Sequence, residues 1–120
     1  MSTYNKAKGS RFEGDIEEHL NTGGLKARRL PRAGSKDIGD LAVETRKPFV
    51  IVVEAKNVKT PDMAGWLKEA EVEAGNYEAK YDVATLGVVV QKARGKGIGD
   101  ARVTMTLDTF CSLLHWGEIA

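Results

Sequence analysis

Two acidic residues and a lysine lie near the ends of two predicted strands. Their residue types and spacing are those of a hydrolytic metal site. The segments IGDLAVET (38–45) and FVIVVEAK (49–56) are predicted strands joined by the turn RKP. Because strand side chains alternate between faces, counting outward from this turn places Asp40 opposite Glu54, with Lys56 further along the face of Glu54. Directly opposed positions bring Cβ atoms to roughly 4.5–5.5 Å, where two like charges destabilise the sheet. The pair therefore needs cations: Lys56 supplies one, and a divalent metal ion would supply the rest.

Carboxylate oxygens with open coordination positions suit Mg²⁺, which keeps several waters and engages substrate phosphates. The expected ligands are Asp40 and Glu54, joined by Glu13 from a helix that should pack over the sheet, and Mn²⁺ should be able to substitute. Such an ion polarises a phosphoryl oxygen and lowers the pKa of a bound water. Lys56 would orient or deprotonate that water, or offset the developing charge. The hypothesis depends on register, because a slip of one residue would turn Glu54 to the other face.

Length and composition limit the class of protein. With 120 residues the chain is expected to form one domain with a core of its own. A net charge of +1 does not mark a nucleic-acid binder, so any basic surface must come from local segregation. The single cysteine, Cys111, excludes an internal disulfide framework and cannot form a zinc cluster alone. Without a signal peptide or an apolar run of roughly 20 residues, a soluble cytoplasmic protein is expected.

Basic residues are concentrated just before the predicted hairpin. Residues 25–36 contain five lysines and arginines and no acidic residue. A solvated edge strand, protected by its charges from aggregation, is one interpretation. The position beside the carboxylates favours the other, a rim that contacts DNA phosphates. Together with basic residues elsewhere, the predicted DNA contacts are Lys8, Arg11, Arg28, Arg29, Arg32, Lys36, Lys59, Lys92, Arg94 and Lys96.

Hydrophobic periodicity predicts a single α/β domain, with a mixed sheet flanked by helices in the order αβββαββα. Residues 1–9 are expected to form a flexible tail and residues 10–120 the domain. Ser10 is the predicted cap of the first helix, with Glu13 as its capping-box partner. The segment 49–56 is apolar on both faces, which is typical of a central strand covered by helices on each side.

The second helix is predicted to begin with Thr60 as cap and Pro61 in its first turn. Its predicted apolar stripe comprises Met63, Trp66, Leu67, Ala70, Ala74 and Tyr77. Its predicted solvent side comprises Lys68, Glu69, Glu71, Glu73 and Glu78. The stretch GKGIGD (95–100) is predicted to be a hairpin loop rather than a nucleotide-binding loop, because no GKS or GKT follows.

The last helix is predicted over residues 107–116, capped by Thr106 or Asp108. The spacing of its apolar residues predicts that Cys111 is an inert thiol on the buried side. Leu113 and Trp116 lie off this buried stripe and are candidates for a subunit interface.

Three motifs, in order, resemble those of the PD-(D/E)XK nuclease superfamily, and more closely those of archaeal and phage Holliday-junction resolvases. KGSRFEGDIEEHL (8–20) is similar to their first-helix motif, RAGSKDIGDLAV (32–43) to their serine loop and metal-binding aspartate, and VVEAKN (52–57) to their E-x-K strand. The resemblance covers most of the chain, and the remainder looks like small phage-encoded versions. The site residues that it implies are Glu13, Ser35, Asp40, Glu54 and Lys56.

The resemblance implies a restriction-endonuclease-like core and Mg²⁺-dependent cleavage of DNA phosphodiesters. It implies branched DNA as the substrate, in recombination and repair, and a homodimer whose two sites cut symmetric strands. The chain departs from the motif at Gly39, where the family has proline, and Asp37 adds a second acid nearby.

Three alternatives remain open. A nuclease of the same fold could cut flaps, single strands or plain duplex, because substrate shape is recognised by the dimer and its basic surface. A DNA-binding module without cleavage is disfavoured, because binding alone gives no reason to keep opposed acids that repel phosphate. An interaction domain without nucleic acid is disfavoured by the basic run at 25–36.

Overall fold

A mixed five-stranded sheet forms the centre of the chain in the computed structural model, which describes residues 3–32 and 36–120. Its strands lie side by side in chain order: β1 (Lys26–Arg29), β2 (Leu41–Glu44), β3 (Phe49–Lys56), β4 (Ala84–Gln91) and β5 (Arg102–Thr104). The helices are α1 (Thr3–Thr22), α2 (Met63–Tyr81) and α3 (Leu107–Trp116). The β3–β4 pair is parallel and the other three pairs are antiparallel. The predicted order αβββαββα is confirmed. Within the described ranges, no helix combines the length and apolar character needed to cross a membrane.

The hairpin of β2 and β3 has the register that was counted from its turn. Leu41 pairs with Val53 and Glu44 with Val50. The paired register ends at Leu41 and Val53, and just beyond it the Asp40 amide donates to the Val53 carbonyl at 2.9 Å. Asp40 therefore lies beside the strand that carries Glu54, at one end of the sheet.

Helices cover both faces of the sheet. On one face, Phe12 and Ile16 of α1 pack against Leu41, Val53 and Val88. On the other face, α2 packs Ala74 and Tyr77 against the apolar side chains Ala42, Val50 and Val52. The central strand β3 is consequently buried from both sides, which explains why its sequence is apolar at nearly every position.

Two helices begin at residues other than those expected. The first helix starts at Thr3, so Ser10 lies inside it and is not its cap. Most of the segment assigned to a tail is therefore helical, because no helix-breaking residue interrupts residues 3–8. The second helix starts at Met63, because the Asp62 side chain accepts from the Gly65 amide and caps it in place of Thr60.

The third helix begins as expected after the cap Thr106, but its packed side differs from the one predicted. Cys111 and Phe110 are exposed, which corrects the prediction of a buried thiol. Trp116 instead packs edge-on against Phe49, with ring centroids 5.7 Å apart. This contact turns Leu113 toward an apolar cavity of about 340 Å³ beneath α1. Both residues thus contact their own chain, while Trp116 remains 38% exposed, and their part in a subunit interface stays a prediction.

Helix α2 approaches β4 closely at Gly87, where a Cβ atom would lie 2.3 Å from the Ala70 carbonyl oxygen. We expect Gly87→Ala to destabilise the fold by about 1–3 kcal/mol in denaturant unfolding, because the helix must move away from the sheet. Gly75→Ala is the matched control: its Cβ would meet nothing within 4 Å, and the better helix former should stabilise by about 0.5–1 kcal/mol. Equal effects of the two changes would contradict this account of the packing.

Candidate active site

Glu54 and Lys56 lie at the carboxyl end of β3, on the side that faces α2. The Lys56 Nζ atom is 3.6 Å from Glu54 Oε1 and 3.0 Å from Glu69 Oε1, and it lies 5.8 Å from the centroid of the Trp66 ring. Burial lowers the pKa of Lys56, but the hydrogen bond to Glu69 and the charge of Glu54 outweigh it, so the pKa is raised overall. Lys56 is therefore an ammonium group held in place between two carboxylates and an indole ring.

Asp40 is fixed by the backbone of the neighbouring strand. Its Oδ2 atom accepts from the Ala55 amide at 2.8 Å, and the side chain is almost fully buried. The preceding residue, Gly39, has φ of +102°, a conformation that side chains rarely adopt. Proline, whose φ is locked near −65°, does not fit this backbone. The departure of Gly39 from the family motif thus has a structural cause in this chain.

Arg32 joins Asp40 to Glu13. One guanidinium nitrogen lies 3.1 Å from Asp40 Oδ1 and also contacts Glu13 Oε2, while Arg29 Nη2 is 3.4 Å from Glu13 Oε1. Glu13 is buried beneath these arginines. Burial, followed by the charge of Asp40, raises the pKa of Glu13 although both arginines lower it. Glu13 is thus a buried acid of the site and not the capping residue that the sequence suggested.

A fourth buried acid, Glu73, was predicted to face water and is instead 2 % exposed. One oxygen each of Asp37, Glu54, Glu69 and Glu73 lies within 4.8 Å of the others, and we refer to these four residues as the α2 acid cluster. Burial raises the pKa of Glu54 to about 8. Burial and the adjoining Glu54 raise the pKa of Glu73 even further. Asp37, which the sequence left as a possible extra acid, therefore lies next to Glu54.

The helical spacing of α2 carried a signal for Glu73. This residue lies seven positions after Trp66 and four before Tyr77, so it falls on the buried side between Ala70 and Ala74. It was assigned to solvent because of its residue type rather than its position. A charged residue at a core position is unusual and is a reason to suspect a site.

Of the predicted DNA contacts, some side chains contact other groups of the chain and the rest are exposed or partly exposed. Arg29 and Arg32 are engaged by the buried acids, and Arg28 points to the opposite face of the sheet, where its Nη2 atom lies 2.7 Å from the Tyr77 hydroxyl. Lys92 lies with its Nζ atom 6.0 Å from the centroid of the Phe12 ring, and its amide donates to the Lys56 carbonyl, at the site end of the sheet. The remaining basic side chains are exposed or partly exposed: Lys8, Arg11, Lys36, Lys59, Arg94 and Lys96. The predicted Ser35 lies outside the described residues.

The oxygen atoms of this site fit a hard divalent cation. Glu54 Oε2 and both carboxylate oxygens of Glu73 are buried without a hydrogen-bond donor in the described part of the chain. Buried carboxylates need a proton, a donor or a metal ion. The candidate metal ligands also still include Asp40, Glu54 and Glu13. The guanidinium group of Arg32 lies between Asp40 and Glu13.

The comparisons identify the fold. No protein-family profile matches the sequence, and no curated protein matches it either. Among solved structures, the chain is similar to Hjc, a Holliday junction resolvase from the archaeal hyperthermophile Archaeoglobus fulgidus. The match has a TM-score of 0.53 and 22% sequence identity, and it covers 80% of this chain and 70% of that one. The chain has the fold of a resolvase. The predicted restriction-endonuclease-like core is therefore confirmed.

The raised pKa of Glu54 predicts how stability depends on pH without metal. Its ordinary value is 4.5, and in the folded protein the pKa is about 8. Between these values the unfolded chain has lost a proton that the native state keeps, so stability falls as the pH rises. In EDTA, we expect the unfolding free energy to drop by a few kcal/mol between about pH 5 and about pH 8.

Glu54→Gln, which removes one of the two titrating acids, should make this pH dependence less steep and leave the part due to Glu73, whereas Glu44→Gln, on an exposed residue of β2, should not change it. Urea unfolding at a series of pH values measures both. Parallel curves for wild type and Glu54→Gln would disprove the assignment.

Proposed function

We propose that the protein is a Mg²⁺-dependent endonuclease that hydrolyses DNA phosphodiesters, acting as a homodimer on four-way junctions. The supporting observation is that Asp40 and Glu54 are buried at one end of a sheet with a resolvase-like fold, with Lys56 beside Glu54. Mn²⁺ should replace Mg²⁺, and the working compartment would be the cytoplasm, that of the host if a phage encodes the protein.

Asp40 and Glu54 are the proposed first ligands of the ion, with Glu13 as the third. All three carboxylates are buried and held by hydrogen bonds or ion pairs, so they are positioned before an ion arrives. When bound, a divalent ion would polarise the phosphoryl oxygen and lower the pKa of a water molecule bound to it.

Lys56 has a role set by its protonation. Because its pKa is raised, it remains an ammonium group and is a poor general base in this state. Of the roles considered from the sequence, those that remain are orienting the attacking water and offsetting the negative charge that develops at phosphorus. Its contacts with Glu54 and Glu69 hold the ammonium group in place for this purpose.

Arg32 and Arg29 are suited to hold a DNA phosphate next to the acids. The Arg32 side chain is 71 % exposed although its guanidinium group reaches two buried carboxylates. A planar guanidinium group binds phosphate in the same forked geometry as it binds carboxylate. These two arginines would place the scissile strand at the site, and the exposed lysines around it would add electrostatic attraction.

A homodimer would bring two such sites to one junction. The exposed apolar side chains on and around α3 support an interface there, since Leu107 is 79 % exposed and Val103 and Phe110 are also exposed. Exposed large apolar side chains are typical of interaction sites where they form a patch.

Cleavage of labelled DNA with Mg²⁺ or with EDTA tests the proposal. The substrates are a four-way junction, a flap, a single strand and a plain duplex. We expect paired symmetric cuts in the junction, with Mg²⁺ only. Cuts confined to flaps, single strands or duplex would retain the nuclease and reject the resolvase. Binding of DNA without cleavage of any substrate would instead identify a binding module.

Asp40→Asn and Glu54→Gln should each reduce junction cleavage by roughly a hundredfold or more, because the ion loses a ligand. Junction binding should be unchanged or tighter, since a repulsive charge is gone. Glu44→Gln is the control on the same hairpin, because its side chain is exposed at the other end of β2. Full activity in either site variant would remove this site from consideration.

The basic surface can be tested by the salt dependence of junction binding. Arg94→Gln and Lys96→Gln should each weaken binding and lower the slope of log K against log salt by about 0.9 per lost phosphate contact. Lys26→Gln is the control, because Lys26 pairs with Glu44 at the far end of the sheet. An unchanged slope in both variants would reject the assignment of this loop to DNA.

A further inference from the structure

Helix α2 carries a glutamate in the middle of its apolar side. Glu73 lies between Ala70 and Ala74 and is among the most completely buried side chains of the described residues. Neither of its oxygens has a hydrogen-bond donor there. An ionised carboxylate in such a place costs several kcal/mol unless a counter-charge accompanies it. Either a proton or a cation must therefore accompany Glu73.

The groups around Glu73 are acidic. Asp37, Glu54 and Glu69 each bring one oxygen into the same volume, 4.8 Å or less from the others. Lys56 is the cation that the structure places beside this group, and its ammonium contacts Glu69 and Glu54 on one side. One ammonium group does not neutralise four carboxylates.

We infer that the α2 acid cluster binds a divalent metal ion of its own, with Glu73 as its central ligand and Glu54 shared with the ion proposed at Asp40. All available ligands are carboxylate oxygens, which suits Mg²⁺ or Mn²⁺. Glu54 can serve both ions because its two oxygens differ: Oε1 faces Lys56, whereas Oε2 is buried without a partner.

An ion at this position would connect three elements of the site. Glu73 belongs to α2, Glu54 to β3, and Asp37 to the segment that leads into β2. This segment is already held to α2 by the side-chain amide of Asn76, which donates to the Asp37 carbonyl at 2.7 Å. Asp37 also accepts from the amide of Gly39, the residue before Asp40. The ion would thus steady the backbone that presents Asp40.

Counting bound Mn²⁺ tests this inference and requires no DNA. Metal-free protein near pH 8 is titrated with Mn²⁺, and the unbound ion is measured by electron paramagnetic resonance. We expect two ions per wild-type chain and one per Glu73→Gln chain, the second ion binding roughly tenfold or more weakly. Glu71→Gln, an exposed residue on the same helix, is the matched control and should keep both ions.

Two further variants separate the possible outcomes. Asp37→Asn, on an exposed side chain that does not support the core, should weaken the same ion if Glu73→Gln fails to fold. Asp40→Asn should weaken the other ion and leave that at Glu73. Two outcomes would show that Glu73 holds a proton. In the first, Glu73→Gln and Asp37→Asn both keep two ions of unchanged affinity. In the second, the wild type binds one ion, and only Asp40→Asn removes it.

The inference and the proposed function can fail separately. If the wild type binds both ions and cuts no DNA, the nuclease proposal is rejected and the second ion remains. If it cuts junctions and Glu73→Gln binds as many ions as the wild type, only the second ion is rejected.

Discussion

The burial of several carboxylates at one end of the sheet is the constraint on which the rest of the structure depends. Glu13, Asp40, Glu54 and Glu73 are all nearly excluded from solvent. Each ionised group placed there loses its hydration, and this loss is recovered only by close partners. Lys56 and the two arginines of the site supply part of that compensation. The raised pKa values of Glu54 and Glu73 show that they do not supply all of it.

The backbone around the acids is shaped to bring them together. Gly39 adopts a conformation that sets the direction of Asp40, and Gly87 lets α2 approach β4 closely enough to present Glu73. The antiparallel hairpin brings Asp40 and Glu54 to the same end of the sheet, and the parallel strand β4 covers the other edge of β3. The acids therefore lie on regular elements whose positions are set by core packing, which favours precise placement.

The sequence predicted the parts of this site that depend on strand geometry. The alternation of strand side chains is strict, so the short turn between the strands was enough to place Asp40 against Glu54. The prediction for Glu73 was wrong because residue type was used in place of position: it was assigned to solvent because it is charged. The prediction for Cys111 was wrong because spacing alone does not say which side of a short helix packs, and in α3 Trp116 packs against Phe49 while Cys111 is exposed. The predicted start of the first helix was wrong because several residues in a sequence can cap a helix. Ser10 is such a residue, but the helix begins at Thr3.

In the proposed nuclease, Arg32 would link DNA binding to the occupancy of the site by metal. Its guanidinium group lies between Glu13 and Asp40, and a metal ion that bridges these two carboxylates would have to take that place. The side chain is long and largely exposed, so it can turn outward if another anion receives it. A DNA phosphate is such an anion, and the exchange keeps the guanidinium group paired while the carboxylates receive the ion. By linkage, DNA that engages Arg32 strengthens metal binding at Asp40 by the same factor as the metal strengthens DNA binding. The ion proposed at Asp40 would therefore bind without DNA, and it would bind more tightly when a DNA phosphate engages Arg32.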